Sequence, residues 1–257
     1  MDKQVRGGVK PSEPVRTAVA ILIQDYPSCS GTILSNFWVA TAGHCFENVP
    51  ASDLKVVAGV VSLLSDEAVK VGVKRIVKHP RYRIVENDEE ELKVLDWDLA
   101  LLELDKSLEI SSNEMISKAE LPLPAVKHHG KPIIIGGWGR TDQYSAPSFN
   151  HMSINVTIKT TEDCLKTHPV SNFHEDRMFC AGTESETTCP GDSTFTKHVF
   201  HILLGDSGAG AIFHGWKVPV LLGVVSFGRI GCQTSTVYTK VDKFLPWIYK
   251  LTNLRWF

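Results

Sequence analysis

A serine set between glycines stands in the stretch most suited to chemistry, Gly205-Asp206-Ser207-Gly208-Ala209-Gly210. Glycine permits backbone angles that other residues resist, so such a turn can present a serine hydroxyl. The amides of Gly205 and Ser207 can then point together at a developing oxyanion. By itself the stretch is equally typical of an ordinary surface turn, because Asp, Gly and Ser all favour turns. A nucleophilic role therefore needs support from the rest of the chain.

Two further segments supply the partners that such a serine needs. A histidine stands beside a cysteine after an apolar run in Thr41-Ala42-Gly43-His44-Cys45. An acid heads another apolar run in Asp96-Trp97-Asp98-Leu99-Ala100-Leu101-Leu102. Histidine, then aspartate, then serine is the chain order of one known nucleophile triad. Together the three segments resemble the trypsin/chymotrypsin family of serine endopeptidases.

The resemblance implies a peptidase mechanism and a role for each residue. His44 is the general base, Asp98 holds its tautomer, and Ser207 is the nucleophile. The amides of Gly205 and Ser207 form the oxyanion hole. Asp98 is preferred to Asp96 because it directly precedes Leu-Ala-Leu-Leu, as in the family, and Asp96 is expected on the loop. No metal or organic cofactor is expected, and the implied partners are polypeptide substrates and protein inhibitors.

Size and composition suit a globular protein of one or two domains. The chain has 257 residues, is 43% hydrophobic and carries a net charge of -2, and this length allows a substantial buried core. The charge balance gives no case for a nucleic-acid or membrane-surface partner. The apolar run Ala18–Ile23 is far shorter than the roughly 20 residues that a membrane span needs. It is better interpreted as a strand.

Cysteine usage indicates the compartment. Six cysteines allow 15 pairings from sequence alone, and the absence of Cys-x-x-Cys argues against a zinc site. The family resemblance implies the pairs Cys29–Cys45, Cys164–Cys180 and Cys189–Cys232. Disulfides form in an oxidising compartment, so we expect a secreted protein. Because Met1–Gln4 does not resemble a secretory signal, we expect the sequence to be incomplete at its N-terminus.

The predicted fold class is all-β, with two packed antiparallel β-barrels of the chymotrypsin-like type and a C-terminal α-helix. Short runs rich in Val, Ile, Leu and Thr between turn residues favour an antiparallel barrel or sandwich. They are Ala18–Ile23, Thr32–Leu34, Trp38–Thr41, Lys55–Ala58, Val71–Val77 and Leu99–Leu104. One peptidase domain is expected over residues 5–257. It divides into a barrel at about 17–110, a linker at about 111–131, a barrel at about 132–241 and a helix at about 242–254.

The N-terminal region departs from the family pattern. Val5-Arg6-Gly7-Gly8 stands where the family has a mature N-terminus released by proteolysis. In the family, that ammonium pairs with the aspartate before the catalytic serine, which implies a pair between Val5 and Asp206. Gln4 replaces the usual basic residue, and Arg6 replaces an apolar one whose burial would now be costly. An uncleaved, exposed arm is the alternative.

The tripeptide Gly-Asp-Ser occurs twice, at Gly191–Ser193 and Gly205–Ser207, 14 positions apart. Removing Gly191–Leu204 joins Thr188-Cys189-Pro190 directly to the second copy, which is the pattern of the family. We interpret the extra segment as a retained short in-frame intron or an incorrect splice assignment. A real loop insertion is the alternative, since exposed turns tolerate insertions.

The insertion leaves two nucleophiles and two classes of function open. Ser207 is preferred because Gly208 follows it and leads into the next strand in the right frame, whereas Thr194 follows Ser193. An inactive homologue that acts as a binding protein is the rival function, since a fold does not guarantee activity. An α/β-hydrolase is set aside because Ala209 stands at the last glycine of its Gly-x-Ser-x-Gly motif.

The cysteine frame also locates a specificity pocket. The resemblance places Thr187 at its base, where specificity for Arg or Lys requires an acid. Ser226-Phe227-Gly228 matches the strand that pairs with substrate backbone, and its serine is expected to support Asp98. Gly228 leaves one wall open, and Thr236 replaces a second wall glycine. We therefore predict cleavage after small or medium apolar residues.

Three surface and packing features complete the sequence interpretation. The acidic run from Glu86 to Glu91 is better explained as a solvated surface loop than as a calcium site. Asn155-Val156-Thr157 is a candidate glycosylation site if the chain is secreted. Near the C-terminus, three apolar residues at helical spacing indicate packing rather than function. They are Phe244, Ile248 and Leu251.

Overall fold

The computed structural model describes residues 10–87, 92–124, 128–139, 148–168, 173–183, 206–215, 218–228 and 235–254. Within these ranges strands predominate. The strands are β1 (Ala18–Ile23), β2 (Tyr26–Ser35), β3 (Trp38–Thr41), β4 (Leu54–Ala58), β5 (Val69–Lys78), β6 (Arg83–Asn87), β7 (Leu92–Asp96), β8 (Ala100–Leu104), β9 (Pro132–Gly137), β10 (Met152–Thr157), β11 (Met178–Ala181), β12 (Gly210–Phe213), β13 (Val220–Phe227) and β14 (Thr236–Lys240). The α-helices are α1 (Thr161–Thr167) and α2 (Leu245–Thr252).

Six strands of the N-terminal half close into a barrel in the order β1-β2-β3-β8-β5-β4. Successive side chains of a strand point to opposite faces. In β1, Val19 and Ile21 therefore enter the barrel core, while Ala20 and Leu22 pack outside it against Trp138 of the second half. This explains why β1 is apolar at every position: the second half covers its outer face.

The C-terminal half forms a second six-stranded antiparallel sheet in the order β10-β9-β12-β13-β14-β11. The two edges of this sheet approach each other through a bridge between Ile158, which follows β10, and Ala181 of β11. Buried side chains of this sheet pack together into its core; they include Ile133, Ile135, Ile154, Leu222, Val225 and Tyr238. The predicted all-β, chymotrypsin-like architecture is confirmed, with a second barrel that is less completely closed than the first.

The chain ends with a 3-10 turn over Val241–Lys243 and then helix α2. Phe244 and Ile248 are fully buried in the core of the first barrel, and Leu251 packs at its margin. The C-terminal helix is thus present as predicted, and its apolar spacing serves packing. It also carries the end of the chain back from the second sheet to the first barrel.

Two disulfides lie within the described residues, Cys29–Cys45 and Cys164–Cys180. Both are pairs that the family resemblance implied, and they fit an extracellular protein. Cys189 and Cys232 lie outside the described residues. In the described part of the chain, no helix is long and apolar enough to cross a membrane.

The sequence prediction for Asp96 is wrong. Asp96 does not lie on a loop but ends β7, which pairs with β6 so that Arg83 stands opposite Asp96. The acidic run likewise begins inside β6, at Glu86 and Asn87, and residues 88–91 lie outside the described ranges. The local sequence does not distinguish this hairpin from an exposed loop, because the burial of its residues depends on the distant segment that packs against it.

Asp96 joins the two halves of the molecule. Its carboxylate is fully buried and accepts hydrogen bonds from Arg177 Nε at 2.6 Å and from Arg83 Nε at 3.0 Å. Burial alone would raise the pKa of Asp96, but the hydrogen bonds from Arg177 and Arg83 outweigh it and hold that pKa below its ordinary value. Arg177 belongs to the second half and also lies over the ring of Trp97, 5.3 Å from its centroid.

Replacing Arg177 should therefore weaken the docking of the two halves. We expect Arg177→Ala to lower the free energy of unfolding by about 3 kcal/mol, because it leaves a buried carboxylate short of its partner. The matched control is Arg75→Ala, which breaks a half-exposed ion pair with Glu103 and should cost at most about 1 kcal/mol. Urea denaturation of both variants measures the difference; equal losses would contradict the proposed role of the bridge.

Candidate active site

His44 and Asp98 meet because their strands are neighbours. β3 and β8 pair antiparallel with Thr41 opposite Ala100, so the residues just after β3 and just before β8 lie at the same barrel end. His44 occupies a 3-10 turn over Gly43–Phe46. Its Nδ1 lies 2.7 Å from Asp98 Oδ2, and its backbone amide donates to Asp98 Oδ1 at 2.9 Å.

The second half completes the surroundings of Asp98. Ser226 Oγ donates to Asp98 Oδ2 at 2.5 Å, and Thr239 Oγ1 donates to the Asp98 carbonyl at 2.9 Å. The Asp98 side chain is fully buried. Burial alone would raise the pKa of Asp98, but the His44 ring and the hydrogen bonds from His44 and Ser226 hold that pKa below its ordinary value. An ionised carboxylate only accepts hydrogen bonds, so the proton between the two residues belongs to Nδ1 of His44.

Ser207 lies in a tight turn anchored to both halves. Its carbonyl accepts a hydrogen bond from the Ser30 amide at 2.8 Å, and the Gly208 amide donates to the Val225 carbonyl at 3.0 Å. Gly208 has a φ of +81°, and a Cβ there would lie 2.1 Å from Thr41 Oγ1. Glycine is therefore required after Ser207 by both conformation and space.

The hydroxyl of Ser207 and the free nitrogen of His44 are both buried, and neither has a hydrogen-bond partner among the described residues. The Asp98–His44 pair is thus assembled, while a hydrogen bond from Ser207 Oγ to His44 Nε2 is absent. In structures without substrate, catalytic hydrogen bonds are often long and tighten only in the substrate complex. The structure thus joins Asp98 to His44, and it places the Ser207 carbonyl 3.9 Å from Sγ of Cys45, the neighbour of His44.

The structure places only part of the predicted substrate pocket. Ser226, Phe227 and Gly228 stand at the end of β13, and Thr236 begins β14 beside them. A Cβ built on Gly228 would lie 3.8 Å from Thr236 Oγ1, so these two residues face each other. Several predicted site residues lie outside the described ranges: Val5, Thr187, Ser193, Gly205, Cys189 and Cys232.

Sequence reasoning missed two contributors to this site. Thr239 holds the backbone of Asp98, and Leu95 packs in one cluster with Phe227 and Phe173. Neither carries a local signal, because a threonine or leucine in a strand is ordinary and its role arises only from tertiary contact. Among the described residues, no group of three His, Cys, Asp or Glu side chains could hold a metal ion.

Asp206 is a buried acid next to Ser207. Its Oδ1 accepts a hydrogen bond from the Gly139 amide at 3.1 Å, and in the ranges that the structure describes its Oδ2 has no hydrogen-bond partner. The carboxyl is packed so closely that a Cβ on Gly139 would lie 2.3 Å from its Cγ. Burial raises the pKa of Asp206, and the hydrogen bond from Gly139 lowers it by a smaller amount. The resulting pKa is about 7.

A closed β-barrel, a second six-stranded sheet and a buried His–Asp pair where they meet define the chymotrypsin-like class of serine proteases. The chain belongs to the trypsin family: the family profile described as Trypsin matches residues 5–193 and 200–248. The substrates of such proteases are polypeptides. The match is interrupted at 194–199, inside the segment Gly191–Leu204 that separates the two Gly-Asp-Ser copies.

Three curated relatives extend the comparison. Tonin from Rattus norvegicus is 31% identical over 254 residues, which cover 94% of this chain and 86% of tonin. The serine proteinase stubble from Drosophila melanogaster is 27% identical over 86% of this chain but only 26% of its own length. Complement C1s-1 subcomponent from Mus musculus is 28% identical over 88% of this chain and 32% of its own length. The chain therefore spans most of tonin but a third or less of the other two.

The buried acid gives a pH test. The folded chain keeps a proton on Asp206 up to about pH 7, whereas an unfolded aspartate loses it near pH 4. Because the folded state binds more protons in this window, stability falls as pH rises through it. We expect Asp206→Asn to remove this loss. The free energy of unfolding of the variant minus that of wild type should therefore be roughly 3 kcal/mol larger at pH 8 than at pH 5.

Urea denaturation at the two pH values measures this change. The control is Asp66→Asn, because Asp66 is exposed and its replacement should shift stability equally at both pH values. A difference between Asp206→Asn and wild type that stays constant from pH 5 to pH 8 would show that Asp206 ionises normally.

Proposed function

We propose that the protein is a serine endopeptidase in which Asp98, His44 and Ser207 act as the catalytic triad. The observation that carries the proposal is the buried carboxylate of Asp98, which holds the His44 ring at 2.7 Å and is itself held by Ser226. An ion pair on the protein surface would remain exposed to water, whereas the side chains of His44 and Asp98 are both fully buried. The disulfides add support for a secreted enzyme.

The proposed mechanism uses the tautomer that Asp98 imposes. With its proton on Nδ1, the neutral His44 ring keeps a lone pair on Nε2, which accepts the proton of Ser207 Oγ as that oxygen attacks the peptide carbonyl. The amides of Gly205 and Ser207 stabilise the resulting oxyanion. His44 then donates its Nε2 proton to the leaving amine, and water repeats the sequence to release the acyl group from Ser207. No metal or organic cofactor takes part.

Activation is proposed to depend on Asp206. Its unpartnered Oδ2 is a buried site for one positive charge, and an ammonium released at Val5 would supply it. Ion pairing would lower the pKa of Asp206 and fix the turn that carries Ser207. Arg6 and Gln4 make the processing step unlike that of the wider family.

Specificity is proposed to favour small or medium apolar side chains before the scissile bond. Thr236 is buried and lies across the pocket from Gly228, so its side chain narrows the space. Thr187 at the base offers no charge for Arg or Lys. Protein protease inhibitors that present such a residue are proposed partners.

A binding protein without activity is the second candidate. It is favoured by the buried, unbonded Ser207 hydroxyl and His44 Nε2 and by the extra segment Gly191–Leu204 just before Ser207. Misplacement of reacting groups by about 1 Å can cost a hundredfold in rate. The two candidates differ in whether Ser207 reacts.

A fluorophosphonate probe distinguishes them, because it reacts with serines activated by a histidine and an oxyanion hole. We expect the probe to label Ser207 in the purified chain, and label to be lost in Ser207→Ala but kept in the matched control Ser193→Ala. Mass spectrometry of the labelled peptide identifies the serine. Label on Ser193 would overturn the assignment of the nucleophile.

Two further chains complete the labelling experiment. One lacks Gly191–Leu204, and the other begins at Val5. Label only after the deletion would mean that the insertion inactivates this form. Label in none of the chains would favour the binding protein.

Peptide p-nitroanilides ending in Ala, Leu or Arg test the specificity. We expect kcat/KM for Ala or Leu to exceed that for Arg by about tenfold or more, since an unpaired guanidinium is costly to bury. Thr236→Gly should raise the ratio of Phe to Ala cleavage, because it removes the side chain that narrows the pocket. Because the same folded molecules cleave both substrates, the ratio of Phe to Ala cleavage in one variant does not depend on the fraction of that variant that is folded. Preferential cleavage after Arg would contradict the pocket assignment.

A further inference from the structure

A cavity of about 480 Å³ opens on the C-terminal half, at a place where none of the triad residues contributes to its walls. It lies between the turn at 128–131, the segment 158–164, strand β11 and the 3-10 turn at Val241–Lys243. The backbone around it is hydrogen-bonded: the Gly130 amide donates to the Ile158 carbonyl at 2.8 Å, and the Lys240 amide donates to the Arg177 carbonyl at 2.8 Å. The walls are therefore parts of ordered elements.

One wall carries a buried histidine. His128 is 7% exposed, and within the described part of the chain neither of its ring nitrogens has a hydrogen-bond partner. A buried polar group that stays unpaired costs free energy, so such groups are uncommon unless a ligand or water satisfies them. His128 lines the cavity, and a ligand bound there can supply the missing partner.

The charges around His128 are mostly positive. Among the described residues, the cavity is lined by Lys159, Lys240 and Lys243, by one acid, Asp242, and by a second histidine, His129. Lys243 Nζ lies 3.3 Å from Asp242 Oδ2, and Lys240 Nζ donates to the Glu175 carbonyl. The surplus of cationic groups in a concave site attracts anions.

The remaining lining is apolar. Ile158, Phe173, Met178 and Phe179 form part of the walls. A site of this size with apolar walls and a few polar groups is typical of small-molecule binding. We propose that this cavity binds a small organic anion, with its acidic head against His128 and Lys243 and its apolar body against Phe173 and Met178.

Protonation of His128 is linked to this binding. Burial lowers the pKa of His128, Asp242 opposes that effect, and Lys131, Lys240 and Lys243 add to it. An anion beside the ring favours the charged form, so it raises the pKa of His128 and draws a proton onto the ring. Binding is therefore tighter at pH 6 than at pH 8.

Calorimetric titration of the full chain with 2-naphthoate at pH 6 tests the proposal. A ligand of this size in a suitable site reaches a dissociation constant of about 1 mM or tighter. The neutral isostere 2-naphthamide and inorganic sulfate separate the contributions of charge and apolar body. We expect both to bind about tenfold more weakly or worse than 2-naphthoate.

Lys243→Gln and His128→Phe locate the site, with Lys70→Gln on the first barrel as the matched control. Lys243 and Lys70 are both exposed, so we expect both variants to fold, and circular dichroism verifies this for Lys243→Gln, which also loses its ion pair with Asp242. We expect Lys243→Gln to weaken 2-naphthoate binding several-fold and Lys70→Gln to leave it unchanged. Titrations in buffers of different ionisation heat should show proton uptake that His128→Phe abolishes.

Three outcomes would overturn the assignment. They are an absence of 2-naphthoate binding, equal affinity for 2-naphthamide or sulfate, and an effect of Lys243→Gln no larger than that of Lys70→Gln. Binding without proton uptake would remove His128 from the site. None of these results depends on whether Ser207 reacts, so the proposal stands or falls separately from the proposed peptidase activity.

Discussion

The buried carboxylate of Asp98 is the constraint on which the rest of the site depends. A charge removed from water is costly unless hydrogen bonds and an opposite partner replace the solvent. Asp98 receives the His44 ring, the His44 amide and the Ser226 hydroxyl, while Thr239 holds its backbone. These donors come from both halves of the molecule. The carboxylate is therefore satisfied only when the first barrel and the second sheet are docked in one register.

The same dependence on docking recurs along the contact between the halves. The Ser207 carbonyl binds the Ser30 amide, Asp96 binds Arg177, and Trp138 covers the outer face of β1. Each contact joins residues far apart in sequence; the first involves Ser207 itself, and Asp96 lies two residues before Asp98. Reaction geometry and docking are thus supported by the same contacts, which is how a rigid scaffold holds reacting groups within the narrow tolerance that catalysis requires.

Two buried acids near the site contrast with each other. Asp98 is surrounded by donors, and its pKa lies below the ordinary value. Asp206 has one amide donor, and burial raises its pKa to about 7. The two pKa values differ because the two carboxyl groups have different hydrogen-bond and charge partners, since both side chains are buried. An acid left half-satisfied is suited to receive a cation, which is the basis of the activation step proposed for Asp206.

The sequence by itself determined the family, the all-β class, the C-terminal helix and the candidate residues His44, Asp98 and Ser207, because these depend on local motifs and strand patterns. It also located Ser226, which the structure places against Asp98. Tertiary structure alone decided that Asp96 is buried rather than on a loop, that Thr239 supports Asp98, and that His128 faces a cavity. Local sequence carries strand propensity and turn chemistry, but burial and partners arise only where distant segments meet. The charge state of a residue such as Asp206 follows from those contacts and is therefore a property of the fold.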